Sequence, residues 1–236
     1  MKTNLRACLV AEFLGTAFLV AAVVGSGIMA ERLSGGNVAL ALLANTIATG
    51  AALVALICAF GPVSGAHLNP VVSLVDALEG RLDWSEALEY VLAQVVGGVG
   101  GAIAAHAMFG LPPISISGHA RGGVAHFLSE FIATFGLMCV IWGCSRSRPA
   151  NVPFAVGSYI TAAYWFTSST SFANPAVTIA RALSDTFAGI RPVDVPLFIV
   201  AQVLGAIAAT YLFRWLLPPF TVLERSDLLP HNDKSS

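Results

Sequence analysis

Charge is what this 236-residue chain has least of: Asp, Glu, Lys and Arg make up 11% of it and nearly cancel, leaving a net charge of −1. Such a balance offers no electrostatic handle to nucleic acid or to a strongly acidic partner. The four cysteines, Cys8, Cys58, Cys139 and Cys144, lie in or beside apolar runs and show no CxxC or Cys/His spacing. They read as small packing residues, with neither a metal nor a thiol site expected. His67, His106, His119 and His126 are scattered, and no GxSxG, HExxH or paired-Asp pattern occurs, so neither an enzyme nor a cofactor is expected. The glycines at 97, 98, 100 and 101 lie inside an apolar run and suggest close helix packing rather than a nucleotide loop.

Apolar residues are present in quantity. They account for 56% of the chain, and the mean hydropathy is +0.79, outside the soluble range. A helix needs about 20 apolar residues to cross a bilayer, and six runs qualify as expected spans: 9–30, 38–60, 87–109, 124–144, 152–167 and 196–217. The first is long enough to remain as a span rather than be cleaved as a signal. The whole chain, 1–236, is expected to be one all-α membrane domain, with a polar cytoplasmic tail at 218–236.

Two segments between spans break the pattern. GAHLNPVVSLVDALEG, from Gly65, and SSTSFANPAVTIARALSD, from Ser168, are too polar at their starts and too short to cross. In each, an Asn (Asn69, Asn174) stands as a preferred N-cap before a Pro (Pro70, Pro175) at the first helical position. Short helices are expected over Val71–Leu78 and from Pro175 to about Ser184. The halves of the chain also repeat. Ala11-Glu12-Phe13 matches Ser129-Glu130-Phe131, Asn69-Pro70 matches Asn174-Pro175, and the segment around Gln94 matches that around Gln202, at offsets of 118, 105 and 108 residues. The first repeat covers about 9–109 and the second about 124–217.

Three spans per repeat, an odd number, make the second repeat inverted relative to the first. With both termini in the cytoplasm, eight Lys and Arg fall inside and four outside, so that orientation is expected. Non-helical backbone survives at membrane depth only inside protein or beside water. The two half-helices should therefore meet tip to tip at the midplane, placing Asn69, Pro70, Val71, Asn174, Pro175 and Ala176 around a wet path. Two positive helix ends there repel cations, while the Asn amides donate to neutral solutes. Glu12 and Glu130, with Gln94, Gln202 and His67, are expected to brace the loops; for Glu12 a position near the membrane surface is the other reading.

These residues resemble the major intrinsic proteins, meaning aquaporins and aquaglyceroporins, over almost the whole chain; the marks are SGAHLNPVVS, SFANPAVT, the paired glutamates and the paired AQ-V-x-G segments. The resemblance implies six spans with two re-entrant half-helices, a homotetramer with a pore in each subunit, and passive flow of water and small neutral solutes across a cell inner membrane. It also implies an outer filter containing an aromatic residue and an arginine directly after the second Asn-Pro-Ala. Here Val177 stands in the arginine's place, and counting from the asparagines puts the remaining filter positions on Thr49, Ala162 and Ser171, none aromatic or charged. Val71 likewise replaces the usual alanine of the first motif. A wide, weakly polar filter is expected, favouring glycerol-like polyols. Similar bacterial members without the arginine are associated with arsenic resistance, which adds neutral arsenite as a candidate solute. Arg181, one turn beyond Val177, either returns charge to the mouth or turns to a loop, to water or to Asp185. A secondary transporter with inverted repeats and broken helices is the alternative reading.

Overall fold

Length sorts the helices into two kinds. In the computed structural model, which describes residues 4–216, the elements are α1 (Leu5–Leu33), α2 (Val38–Ser64), α3 (Pro70–Leu78), α4 (Trp84–Met108), α5 (Val124–Ser147), α6 (Val152–Phe166), α7 (Pro175–Arg181) and α8 (Val195–Leu216). Helices α1, α2, α4, α5 and α8, the last with its 3-10 lead-in, are long and apolar enough to cross a membrane. Helix α6 has 15 residues, about 22 Å at 1.5 Å per residue, and gives way at Thr167 to the approach segment of α7. Helices α3 and α7 have 9 and 7 residues and reach only part of the way. The expected tail, 218–236, lies outside the described residues.

Helix α7 stops three residues before the expected end near Ser184. The amides of Ala182 and Leu183 fold back to the carbonyls of Ile179 and Ala180, tightening the last turn, and the carbonyls of Ala182 and Leu183 accept from Ser117 and Ser115 of the α4–α5 loop. The loop thus satisfies groups that another helical turn would have used. It is itself tied down by Arg121, whose amide donates to Asp194 and whose Nε donates to the Gly189 carbonyl.

The repeat is visible in the packing. Helix α1 lies along α4 and α5 along α8, while α3 and α7 each pack against both α4 and α8. In lipid no hydrophobic force drives spans together, so close backbone approach has to. Gly97 lies against the Phe13 carbonyl and Gly205 against that of Phe131, the same seam in each repeat. A Cβ at either position overlaps backbone that has no flexible end to yield. Gly97→Ala is expected to destabilise the protein by about 1–3 kcal/mol, seen as a lower unfolding temperature in detergent; an unchanged midpoint would show that the seam is not that tight.

Candidate functional site

The segments leading into α3 and α7 follow the same backbone path. Ala66 and Leu68 hold φ at 47°, and Ser171 and Ala173 at 49° and 47°, in each case three residues and one residue before the asparagine. Left-handed values cost an L-residue about 1–2 kcal/mol. In return they turn successive amides toward one point and make an anion nest. A carboxylate of the protein itself fills each nest. Glu12 accepts from the amides of His67 and Leu68 at 2.9 and 2.7 Å, and Glu130 from those of Phe172 and Ala173, both at 2.9 Å.

Both carboxylates are fully buried and take a further bond from a glutamine. Gln94 Nε2 donates to Glu12 at 2.7 Å and to Ser73 at 3.0 Å, while Gln202 Nε2 donates to Glu130 at 2.7 Å and to Thr178 at 2.9 Å. Ser73 and Thr178 each stand four residues after their asparagine. His67 lies against α3, with Nδ1 3.0 Å from Ser73 Oγ and Nε2 3.1 Å from Asp76.

At the tips each asparagine serves both repeats. Asn69 Oδ1 accepts from the Val71 amide, and Asn174 Oδ1 from those of Ala176 and Val177, which caps the half-helices. Asn69 Nδ2 donates to the Ala173 carbonyl at 2.8 Å and Asn174 Nδ2 to the Leu68 carbonyl at 2.7 Å. An amide nitrogen carries two hydrogens, so each asparagine keeps one beyond this exchange. Both asparagines line a cavity of about 440 Å³. Toward α3 its walls include His67, Asp76, Arg81, Ser145 and Arg146; toward α7 they include Thr49, Ile160, Tyr164, Ser171, Phe172, Val177 and Arg181. Along one side run Leu19, Val23, Leu53 and Val156.

Of the residues expected at the filter, Thr49, Ser171 and Val177 line this cavity and Ala162 does not. Ala162 is on the exposed face of α6, and Ile160 and Tyr164 stand in its place. An ungapped count from Asn174 misses them because seven non-helical residues, 167–173, lie between α6 and Asn174, against four, 65–68, between α2 and Asn69. The i, i+4 series Val156, Ile160, Tyr164 was the available signal. An aromatic and a charged side chain therefore do stand at the α7 end. Tyr164 donates its hydroxyl to Thr49 at 3.3 Å. Arg181 is not paired with Asp185, which accepts from the Gly118 amide; it turns to the loop after α7, one of the expected destinations, while also lining the cavity. It is 2% exposed, donates from Nε to the Ala188 carbonyl, and lies over the Phe172 ring at 3.3 Å from the centroid.

Two inverted half-helices joined through their capping asparagines within a bundle of spans define a membrane channel fold, and the chain belongs to the major intrinsic protein family, whose model matches residues 1–171 and 149–234. It is 58% identical over 214 residues to Aquaglyceroporin AqpS of Rhizobium meliloti (strain 1021), covering 91% of each chain. It is 34% identical to Aquaporin NIP1-3 of Oryza sativa subsp. japonica, over 87% of this chain and 72% of the relative, and 32% identical to Aquaporin A of Dictyostelium discoideum, over 91% and 80%. Among solved structures, the aquaglyceroporin from Plasmodium falciparum superposes with a TM-score of 0.69 at 21% identity, covering 92% of this chain and 98% of that one, a likeness of fold.

Proposed function

We propose that this protein is a passive channel for water and small neutral solutes, with glycerol-like polyols and uncharged arsenite, As(OH)₃, among them. The observation that carries this reading is the cavity at the joined asparagine tips, whose wall combines apolar side chains with hydrogen-bonding groups. Leu19, Val23, Leu53, Val156, Ile160 and Val177 supply apolar surface, and Asn69, Asn174, Thr49 and Tyr164 supply polar groups. A polyol has a carbon face and a hydroxyl face, and such a wall accommodates both without dehydrating either at a loss. Arsenite presents three hydroxyls in a similar volume. Family membership and the similarity to an aquaglyceroporin support this reading over alternating access.

The working unit is a homotetramer in an inner membrane with both termini cytoplasmic. The apolar outer faces of the spans and the excess of Lys and Arg on one side support that arrangement. Stopped-flow light scattering on proteoliposomes tests the function directly: water, glycerol and arsenite permeabilities should rise above those of empty vesicles and should neither saturate nor follow an ion gradient. Saturable or gradient-coupled uptake would favour a secondary transporter.

The asparagine tips give a sharper expectation. Asn174→Asp removes the donor to the Leu68 carbonyl and sets an oxygen against it, and Asn69→Asp does the same at Ala173. Breaking a buried hydrogen bond and leaving a charged group facing a carbonyl costs about 3–5 kcal/mol. Loss of folded protein or of most solute flux is expected in both variants, and unchanged permeability at normal expression would refute the role of the tips.

A further inference from the structure

We propose that Arg181 is a specificity-determining residue of the pore: it supplies, one helical turn beyond Val177, the fixed positive charge that Val177 itself cannot. This rests on the channel reading above. Arg181 is the last residue of α7, four residues after Val177, so both stand on one face of the half-helix, and both line the cavity.

Its surroundings are those of a presented cation, not of a structural ion pair. The guanidinium carbon lies 3.3 Å from the Phe172 ring centroid, and Nε donates to the Ala188 carbonyl. Among the described residues, no carboxylate forms an ion pair with it. Asp185, the nearest acid in sequence, is engaged by Gly118, and Glu130 is occupied by two amides and Gln202. Arg121, the other buried guanidinium beside Phe172, is held by the carbonyls of Gly189, Ser169 and Phe187, whereas among the described residues Arg181 has the one bond to Ala188, and the cavity is where the rest of its guanidinium meets water or solute.

Phe172 has a double use in this arrangement. Its amide completes the Glu130 nest, and its ring is the platform that holds the guanidinium by stacking and cation–π attraction. The segment that sets the half-helix in place therefore also sets the position of the charge. A full positive charge there acts on ions more strongly than the roughly half charge of a helix end, so the main barrier to cations and hydronium is assigned to the α7 end of the cavity as well as to the asparagine tips. Neutral solutes feel no such barrier and gain hydrogen-bond donors.

The test separates ion exclusion from solute flow. Proteoliposomes carrying the parent protein, Arg181→Lys, Arg181→Gln and Arg181→Met are measured for water permeability by light scattering and for proton leak with an internal pH dye under an imposed gradient. The two neutral variants are expected to show a ratio of proton leak to water permeability about tenfold or more above the parent's, and Arg181→Lys is expected to keep the parent's ratio. Gln and Met are both included so that a folding failure of one leaves the other to report. Neutral variants that conduct water and are as proton-tight as the parent would overturn the proposal, as would Arg181→Lys leaking as much as they do. A parent protein that conducts no water above empty vesicles would instead defeat the channel reading itself.

Discussion

Glu130→Ala is expected to abolish folded protein or leave it severely destabilised. The carboxylate accepts three hydrogen bonds in the protein interior, from the amides of Phe172 and Ala173 and from Gln202 Nε2. Its removal strands three buried donors, each costing about 1–3 kcal/mol when unsatisfied. It also leaves the left-handed conformations of Ser171 and Ala173 without the contact that compensates them. The sum, about 3–9 kcal/mol, is comparable with the roughly 5–15 kcal/mol by which folded proteins are stable. Glu130→Gln keeps the shape but offers one oxygen and a competing amide, and should be milder. By the repeat symmetry Glu12→Ala should behave as Glu130→Ala does. Thermal unfolding in detergent, read by tryptophan fluorescence, checks all three; an Ala variant within about 1 kcal/mol of the parent would mean that the nests hold their shape without a carboxylate.

Why so much of this was legible follows from the kind of constraint involved. Half-helix starts are written locally, in Asn-Pro, because the N-cap and the first helical position have chemical requirements that hold wherever a helix begins. Placement of Asn69 and Asn174 at one point came from counting spans and from the cost of unpaired backbone in lipid. Glu12 and Glu130 stood out because an acid within a span is expensive. The exchange between the tips, in which each asparagine donates to the other repeat's carbonyl, is a long-range contact that no local pattern encodes.

The filter shows where this legibility ends. Val177 lies on α7 itself, three residues after Asn174, and Thr49 lies on α2 with only four non-helical residues, 65–68, before Asn69. Ala162 was misplaced because seven residues of non-helical chain, from Thr167 to Ala173, intervene before Asn174, and their left-handed turns change the register by an amount the sequence does not state. Four destinations competed for Arg181: the pore mouth, a loop, water and Asp185, and it takes the loop carbonyl of Ala188 while lining the cavity. What decided it was the α4–α5 loop, where Gly118 engages Asp185, and the position of the Phe172 ring, both settled by tertiary contacts.

Val177→Arg carries the second large effect, and it is one of selectivity. Val177 is 5% exposed and packs among Leu53, Val156, Ile160 and Tyr164 while also lining the cavity. A guanidinium on a three-carbon stem exceeds the valine volume, cannot remain among those apolar neighbours unpaired, and so extends into the open space. There it adds a second guanidinium to the face of α7 that already carries Arg181, and repulsion between the like charges drives the new side chain away from that face, into the lumen. The width available to a solute shrinks most for molecules larger than water. Glycerol permeability is expected to fall about tenfold or more while water permeability changes less than about threefold, measured on the same proteoliposomes by light scattering. Arsenite, sharing the polyol's bulk and its hydroxyls, should fall with glycerol. Equal glycerol-to-water ratios in the variant and the parent would mean that Val177 does not border the narrowest point, and a loss of arsenite flux without loss of glycerol flux would mean that the two solutes do not share a path.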